Sequence, residues 1–74
     1  MKGIEVRHLR EKLDLTREEF AEIFGLSGYQ SVMNIETDFR RPSKLAIILL
    51  RTLDSLPHAK AKALIDLLRK HSLS

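Results

Sequence analysis

The sequence predicts an all-α fold of five short helices in one domain spanning residues 1–74. Apolar residues recur at intervals of three and four positions along the chain, which is the spacing of one helix face. Thr16 and Ser43 precede two of these segments as helix caps, and Gly25 ends one of them. We identify no strand.

Size and composition limit how such a domain can be stabilised. A chain of this length buries only about 60% of the surface that its unfolded form exposes. The 74 residues include no cysteine, which excludes disulfides and thiolate metal sites. Self-association is the remaining reinforcement, so we expect a homodimer. The formal net charge of +3 weakly favours a polyanionic partner.

No export or membrane signal is found in the sequence. The first residues lead into a charged segment and not into the apolar run of a signal peptide. The longest apolar run, residues 45–50, is too short to cross a bilayer. We therefore expect a cytoplasmic protein with no membrane partner.

The first two helices are predicted over residues 4–13 and 16–24. The apolar face of the first consists of Val6, Leu9 and Leu13. At the start of the second, Thr16 can accept backbone amides while Glu19 reaches back to the amide of Thr16, which is a capping box. Gly25 ends this helix, because only glycine adopts the left-handed backbone without a steric cost.

Three further helices are predicted over residues 29–36, 44–55 and 57–70. The inward residues of the third helix are Val32 and Ile35. Ser43 caps the fourth helix. Pro57 fits the first turn of the fifth, where its missing amide hydrogen has no helical partner to lose.

The fourth helix is apolar on two faces. One stripe comprises Leu45, Ile48, Leu49 and Thr52, and the other comprises Ala46, Leu50 and Leu53. A helix of this kind is buried on two sides, and we expect a partner subunit on one of them. With the apolar surplus of the fifth helix, the predicted dimer interface is Leu50, Leu53, Leu64, Leu67 and Leu68.

The second and third helices have the pattern of a DNA-reading helix-turn-helix unit, in which a tight glycine-bearing turn joins two short helices. Ala21 supplies the small residue that close packing of the two helices needs. The third helix must then present polar side chains from its exposed N-terminal half to base edges.

The run from Leu15 to Ser27, followed by Ile35-Glu36 and Arg41-Pro42-Ser43, resembles the phage-repressor or Cro-like helix-turn-helix (XRE) family. The likeness covers residues 6–56 and rests on features that fall in register. These are the capped start, the alanine, the glycine four residues later and the Ile-Glu ending. The resemblance implies a compact five-helix, lambda-repressor-like domain that binds operator DNA, usually as a dimer on a palindrome.

The resemblance also implies roles for individual residues. The base-reading residues are Tyr29, Gln30, Ser31 and Asn34, and the phosphate-binding residues are Thr16, Arg17, Arg40, Arg41 and Lys44. Arg10 and Glu36 match a family pair that ties the first helix to the end of the third. A guanidinium and a carboxylate across a partly buried gap can fix the orientation of two helices.

Three positions depart from the family pattern. Ser31 stands where the first buried aliphatic is expected, so one extra residue near Gly28 lengthens the turn. Arg17 replaces a common glutamine. Asp38 replaces a glycine, and aspartate tolerates a left-handed backbone better than most residues.

The other notable side chains are predicted to be structural or solvated. Phe39 is expected to pack in its loop and not to wedge into a groove. The solvated face of the fifth helix comprises Lys60, Lys62, Arg69 and Lys70. His8, His58 and His71 lack ligand-like spacing, so no metal or cofactor is expected. No residue set has the arrangement of a catalytic site, so we expect neither an enzyme nor a small-molecule ligand.

These predictions favour a dimeric repressor, and the family resemblance implies that it often acts at its own promoter. An antitoxin bound to a toxin is an alternative, slightly disfavoured because no disordered extension follows Ser74. A short regulator accompanying phage anti-CRISPR genes is a variant of the same chemistry. A protein-interaction module that has lost DNA binding predicts no salt-dependent DNA affinity, whereas a regulator predicts a steep decline with salt.

Overall fold

The computed structural model describes residues 1–72 and contains five α-helices in that range, with no strand. They are α1 (Gly3–Lys12), α2 (Arg17–Phe24), α3 (Tyr29–Glu36), α4 (Lys44–Ser55) and α5 (His58–Ser72). The prediction of an all-α fold is confirmed. The last two residues of the predicted domain lie outside the described residues. No helix within residues 1–72 is long and apolar enough to span a bilayer.

Helix boundaries differ from the prediction by one or two residues. The first helix covers residues 3–12 and not 4–13, and the fifth extends two residues further than predicted. Pro57 lies outside α5, where its carbonyl oxygen accepts the amide of Ala61 at 2.9 Å. Pro57 therefore occupies the N-cap position, and its predicted place in the first turn is wrong by one residue.

The predicted caps of α2 and α4 are confirmed. The Thr16 hydroxyl accepts the amide of Glu19 at 3.1 Å, while the amide of Thr16 donates to the Glu19 carboxylate at 2.9 Å. The Ser43 hydroxyl accepts the amide of Ala46 at 3.1 Å. Gly25 ends α2 in the left-handed conformation, with φ of 68°. These contacts satisfy backbone groups that have no partner inside the helices.

Two aspartates also adopt the left-handed backbone. Asp38, for which the sequence indicated only tolerance of this conformation, has φ of 63°, and Asp14 has φ of 58° just after α1. The chain then turns sharply, so that the amide of Leu15 donates to the carbonyl of Arg10 at 3.1 Å. Asp14 was not predicted from the sequence to have this conformation.

The core is formed by residues from all five helices. The largest fully buried side chains are Phe20, Leu50, Leu53, Val6 and Val32. α2 packs on α3 and α5, and α1 packs on α3 and α4. Ala21 is buried, as predicted for the small residue of α2. This packing fixes α3 between α1 and α2 with one face left open.

The start of α1 packs directly on the end of α3. A Cβ atom at Gly3 would overlap the carbonyl oxygens of Glu36 and Ile35. The amide of Gly3 also donates to the Asp38 carboxylate at 2.8 Å. Gly3 is therefore required for close approach, and Asp38 joins α1 to the loop between α3 and α4.

Candidate nucleic-acid interface

One side of α3 is turned away from the core. Val32, Ile35 and Glu36 are its buried residues. Gln30 and Asn34, one turn apart, lie along the centre of the opposite side. We call this side of α3, residues 29–31, 33, 34 and 37, the outward face.

The two central amides of the outward face are hydrogen-bonded to each other. The Gln30 side-chain NH2 donates to the Asn34 side-chain oxygen at 3.1 Å. Each amide group carries two N–H donors and a carbonyl acceptor. The mutual bond uses one donor of Gln30 and part of the acceptor capacity of Asn34, and the remaining groups face outward. The bond thus aligns the two amides along the helix axis.

The other two predicted base-reading residues lie at opposite edges of the outward face. Tyr29 is 50% exposed at one edge. Ser31 is half-buried at the other edge, where its hydroxyl lies 2.7 Å from the hydroxyl of Ser27 in the turn before α3. The Ser31 hydroxyl therefore interacts with the turn before α3 and takes no part in the hydrogen bond between Gln30 and Asn34.

Met33 also lies on the outward face, although it was not predicted from the sequence. It is half-exposed and lies three positions after Gln30 and four before Thr37, so it shares their side of the helix. Helical spacing measured from Gln30 was the signal that could have identified it.

Three of the predicted phosphate-binding residues are free cations that follow α3 in the chain. Arg40, Arg41 and Lys44 are exposed, and within residues 1–72 no carboxylate forms an ion pair with them. The amide of Arg40 donates to the carbonyl of Asn34 at 2.9 Å. This bond fixes the loop that contains Arg40 and Arg41 against the end of α3.

The other two predicted phosphate-binding residues already have protein partners. The Thr16 hydroxyl is used in the cap of α2. The Arg17 Nε donates to the Glu36 carboxylate at 3.1 Å, with 34% of the Arg17 side chain exposed. Arg17 is thus oriented by Glu36 and keeps donors that reach solvent.

The predicted pair of Arg10 and Glu36 is confirmed. Their nearest nitrogen and oxygen atoms lie 2.6 Å apart, and the side chains are only 9% and 3% exposed. Arg10 also donates through Nη1 to the carbonyl of Leu15 at 2.7 Å. One guanidinium therefore ties α1, the turn before α2 and the end of α3 together.

Arg69 departs from its predicted place on the solvated face of α5. Its Nη1 donates to the Glu19 carboxylate at 3.0 Å, and its Nε lies 3.6 Å from the carboxylate of Glu22. The pKa of Glu19 is lowered mainly by the backbone hydrogen bond from Thr16 and further by the Thr16 hydroxyl and Arg69, against the opposing effect of desolvation. The prediction that Arg69 is only a solvated charge is wrong.

Part of the predicted dimer interface is also wrong. Leu50 and Leu53 are 0% and 1% exposed within one chain, so they belong to its own core. Leu64 and Leu68 are half-buried, and Leu67 is 51% exposed. The misassignment arose because both apolar stripes of α4 have the same spacing, and only tertiary packing shows which one faces inward.

The exposed stripe of α4 is instead the one that begins at Leu45. Leu45 is 73% exposed and Ile48 is 51% exposed. Phe39 is 78% exposed, so the prediction that it packs in its loop is wrong. The most exposed large apolar side chains thus lie on α4 and in the loop before it.

Within residues 1–72, no group of histidine and acidic side chains is placed to hold a metal ion.

Comparison of the chain with known proteins gives no relative: no protein-family model, no curated protein and no solved structure matches it.

Proposed function

We propose that this chain is a sequence-specific regulator that binds double-stranded DNA through a lambda-repressor-like helix-turn-helix formed by α2 and α3. The observation that carries the proposal is the outward face of α3. It presents the bonded amides of Gln30 and Asn34, and the free cations Arg40 and Arg41 follow at the end of the helix.

The proposed reading chemistry follows from the groups that the amides present. The major groove of B-DNA admits an α-helix, and each base pair shows a distinct pattern of donors and acceptors there. A glutamine or asparagine side chain can bond adenine at N6 and N7, which discriminates against other bases by about 1–3 kcal/mol. The Gln30–Asn34 bond favours recognition because it restricts the conformations of the two side chains before binding.

The cations supply the part of binding that is independent of sequence. Arg40, Arg41 and Lys44 have no carboxylate to neutralise them within the described part of the chain, so phosphate groups are suitable partners. Each phosphate that such a side chain neutralises adds about 0.9 to the slope of log affinity against log salt. Phosphate contacts set the register of the helix on the duplex, and base contacts select the sequence.

We further propose that two copies associate through the exposed face of α4. Leu45 and Ile48 form its apolar surface. The hydroxyls of Thr52 and Ser55 on the same side donate to helix carbonyls at 2.8 Å each, so neither has a donor hydrogen left without a partner at such an interface. A symmetric dimer would place its two α3 helices in successive major grooves, about 34–36 Å apart, and would repress by blocking polymerase.

Selection from random DNA duplexes, followed by footprinting, tests this function. The expected product is an inverted repeat whose half-sites contain adenine and are protected at a separation of about one helical turn. Recovery of unrelated sequences only would favour an interaction module without DNA recognition. Gln30→Ala should abolish selection of the adenine, whereas Lys60→Gln, at an exposed position on α5, serves as the control that should preserve it.

A further inference from the structure

Two parallel rows of side chains run along the outward face of α3. Gln30 and Asn34 form the amide row, joined by their 3.1 Å hydrogen bond. Tyr29 and Met33, also four positions apart, form a second row beside it, which we call the apolar row. Tyr29 is 50% exposed and Met33 is half-exposed, so both rows are open to a ligand on this side.

Thr37 continues the apolar row by one further turn. Its hydroxyl donates to the carbonyl of Met33 at 2.8 Å, so its one donor hydrogen is already used. The Met33 side chain offers only methylene groups, a methyl group and a weakly accepting thioether. Tyr29, Met33 and Thr37 together form a small apolar strip within an otherwise polar surface.

The apolar row lies inside the proposed footprint on DNA. On one side it borders the amide row. On the other side, Glu36 follows Met33 by three positions and holds Arg17, a predicted phosphate-binding residue, at 3.1 Å. A group contacted by Met33 would therefore lie between the base read by the amides and the sugar-phosphate chain.

The major-groove edge of a base pair offers one apolar group, which is the C5 methyl of thymine. We propose that Met33, assisted by Tyr29, binds the C5 methyl group of a pyrimidine adjacent to the base pair read by Gln30 and Asn34. The inference rests on the proposed function. It names a specificity-determining residue and the chemical group that it recognises.

The methyl group can be removed without disturbing base pairing. In the selected duplex, each thymine of a half-site is replaced in turn by uracil, and affinity is measured by fluorescence anisotropy at fixed salt. At one thymine, the loss of the buried methyl should weaken binding by about fourfold. If every uracil duplex binds the unaltered protein as tightly as its thymine parent, the inference is overturned while the proposed function stands.

Two variants at position 33 assign the effect to Met33. Met33→Leu keeps an apolar side chain and should preserve the ratio of thymine to uracil affinity. Met33→Gln should bind both duplexes equally, and its thermal midpoint, measured by circular dichroism, checks that it remains folded. A ratio that persists in Met33→Gln would overturn the role of Met33.

A second comparison separates the methyl group from the neighbouring thymine O4. The same base pair is replaced by guanine–cytosine, with or without a methyl group at C5 of the cytosine. The methylated duplex should bind about fourfold more tightly than the unmethylated one, and this gain should disappear in Met33→Gln. No gain on methylation would overturn the inference. Absence of binding to any duplex would instead overturn the proposed function, and the inference with it.

Discussion

Arg10 and Glu36, 26 positions apart in the sequence, form a buried ion pair in which the Arg10 Nε donates to the Glu36 carboxylate at 2.6 Å. The same guanidinium caps the carbonyl of Leu15, and the same carboxylate holds Arg17. The pair therefore connects the position of α3 to α1 and to the start of α2. It sets the orientation of the helix that we propose reads DNA.

Arg10→Ala should destabilise the fold and weaken DNA binding together. Removal of one partner of a buried ion pair leaves the other charge without compensation, at a cost of about 3–5 kcal/mol. Arg17 could retain part of the neutralisation of Glu36, which places the expected loss at the lower end. Urea denaturation measures the free energy of unfolding, and anisotropy measures the affinity. An unchanged unfolding free energy and an unchanged affinity would refute the role of Arg10.

Arg17→Gln provides the matched contrast. Its side chain is 34% exposed and shares Glu36 with Arg10, so its loss should cost less than about 1 kcal/mol of stability. If Arg17 also binds a phosphate, the salt slope of DNA binding should fall by about 0.9. Thermal melting and a salt titration separate the two effects. A salt slope that is unchanged in Arg17→Gln would assign Arg17 to the ion-pair network with Glu36 alone.

Gly3→Ala tests the close approach of α1 to α3. The added Cβ would overlap backbone carbonyl oxygens of Glu36 and Ile35, which cannot rotate away, so a loss of about 1–3 kcal/mol is expected. Gly28→Ala is the control, because nothing lies within 4 Å of its added Cβ and its φ of 167° is an extended conformation. Equal unfolding free energies for the two variants would show that Gly3 is not required.

Glu19→Gln should make the thermal stability of the fold less sensitive to a fall in pH. The pKa of Glu19 is lower in the folded chain than its ordinary value of 4.5, so the carboxylate stabilises the fold above that pH. This contribution is lost as the pH falls through the lowered pKa. Thermal midpoints from pH 6 downward should show the difference between the parent and Glu19→Gln narrowing below about pH 4.5. A constant difference would contradict the assignment, and Glu18→Gln controls for loss of a charge in the same turn.

Ile48→Glu and Leu50→Ala separate the two faces of α4. Leu50 is fully buried, so Leu50→Ala should cost about 2–5 kcal/mol of unfolding free energy. Ile48 is 51% exposed, so Ile48→Glu should leave the isolated fold stable but shift sedimentation from dimer to monomer. A parent chain that sediments as a monomer at all concentrations would contradict the proposed interface.

The local structure could be predicted largely from the sequence because its signals are local. Each signal involves residues that are close together in the sequence: the capping box of Thr16 and Glu19, the Ser43 cap and the helix end at Gly25. Each has the predicted contact or backbone conformation. The boundary at Pro57 was displaced by one residue because the amide hydrogen that proline lacks has no helical partner at either the N-cap or the first turn. Such differences do not change the order of the helices.

The tertiary contacts could be predicted only where a recognised pattern linked distant residues. Arg10 with Glu36 was predicted in this way. Two other contacts also join residues far apart in the sequence: the ion pair of Arg69 with Glu19 and the packing of Gly3 on Glu36. No residue spacing in the sequence indicates either contact. Periodicity alone also could not show which stripe of α4 is buried, since both stripes have helical spacing.

The most direct test of the central claim is the affinity of the chain for its selected duplex and for a shuffled duplex, measured across a range of salt concentrations. We predict tighter binding to the selected duplex and a linear fall of log affinity with log salt. Arg41→Gln should reduce that slope by about 0.9, while Lys60→Gln leaves it unchanged. Equal affinity for both duplexes, or an affinity independent of salt, would contradict the account.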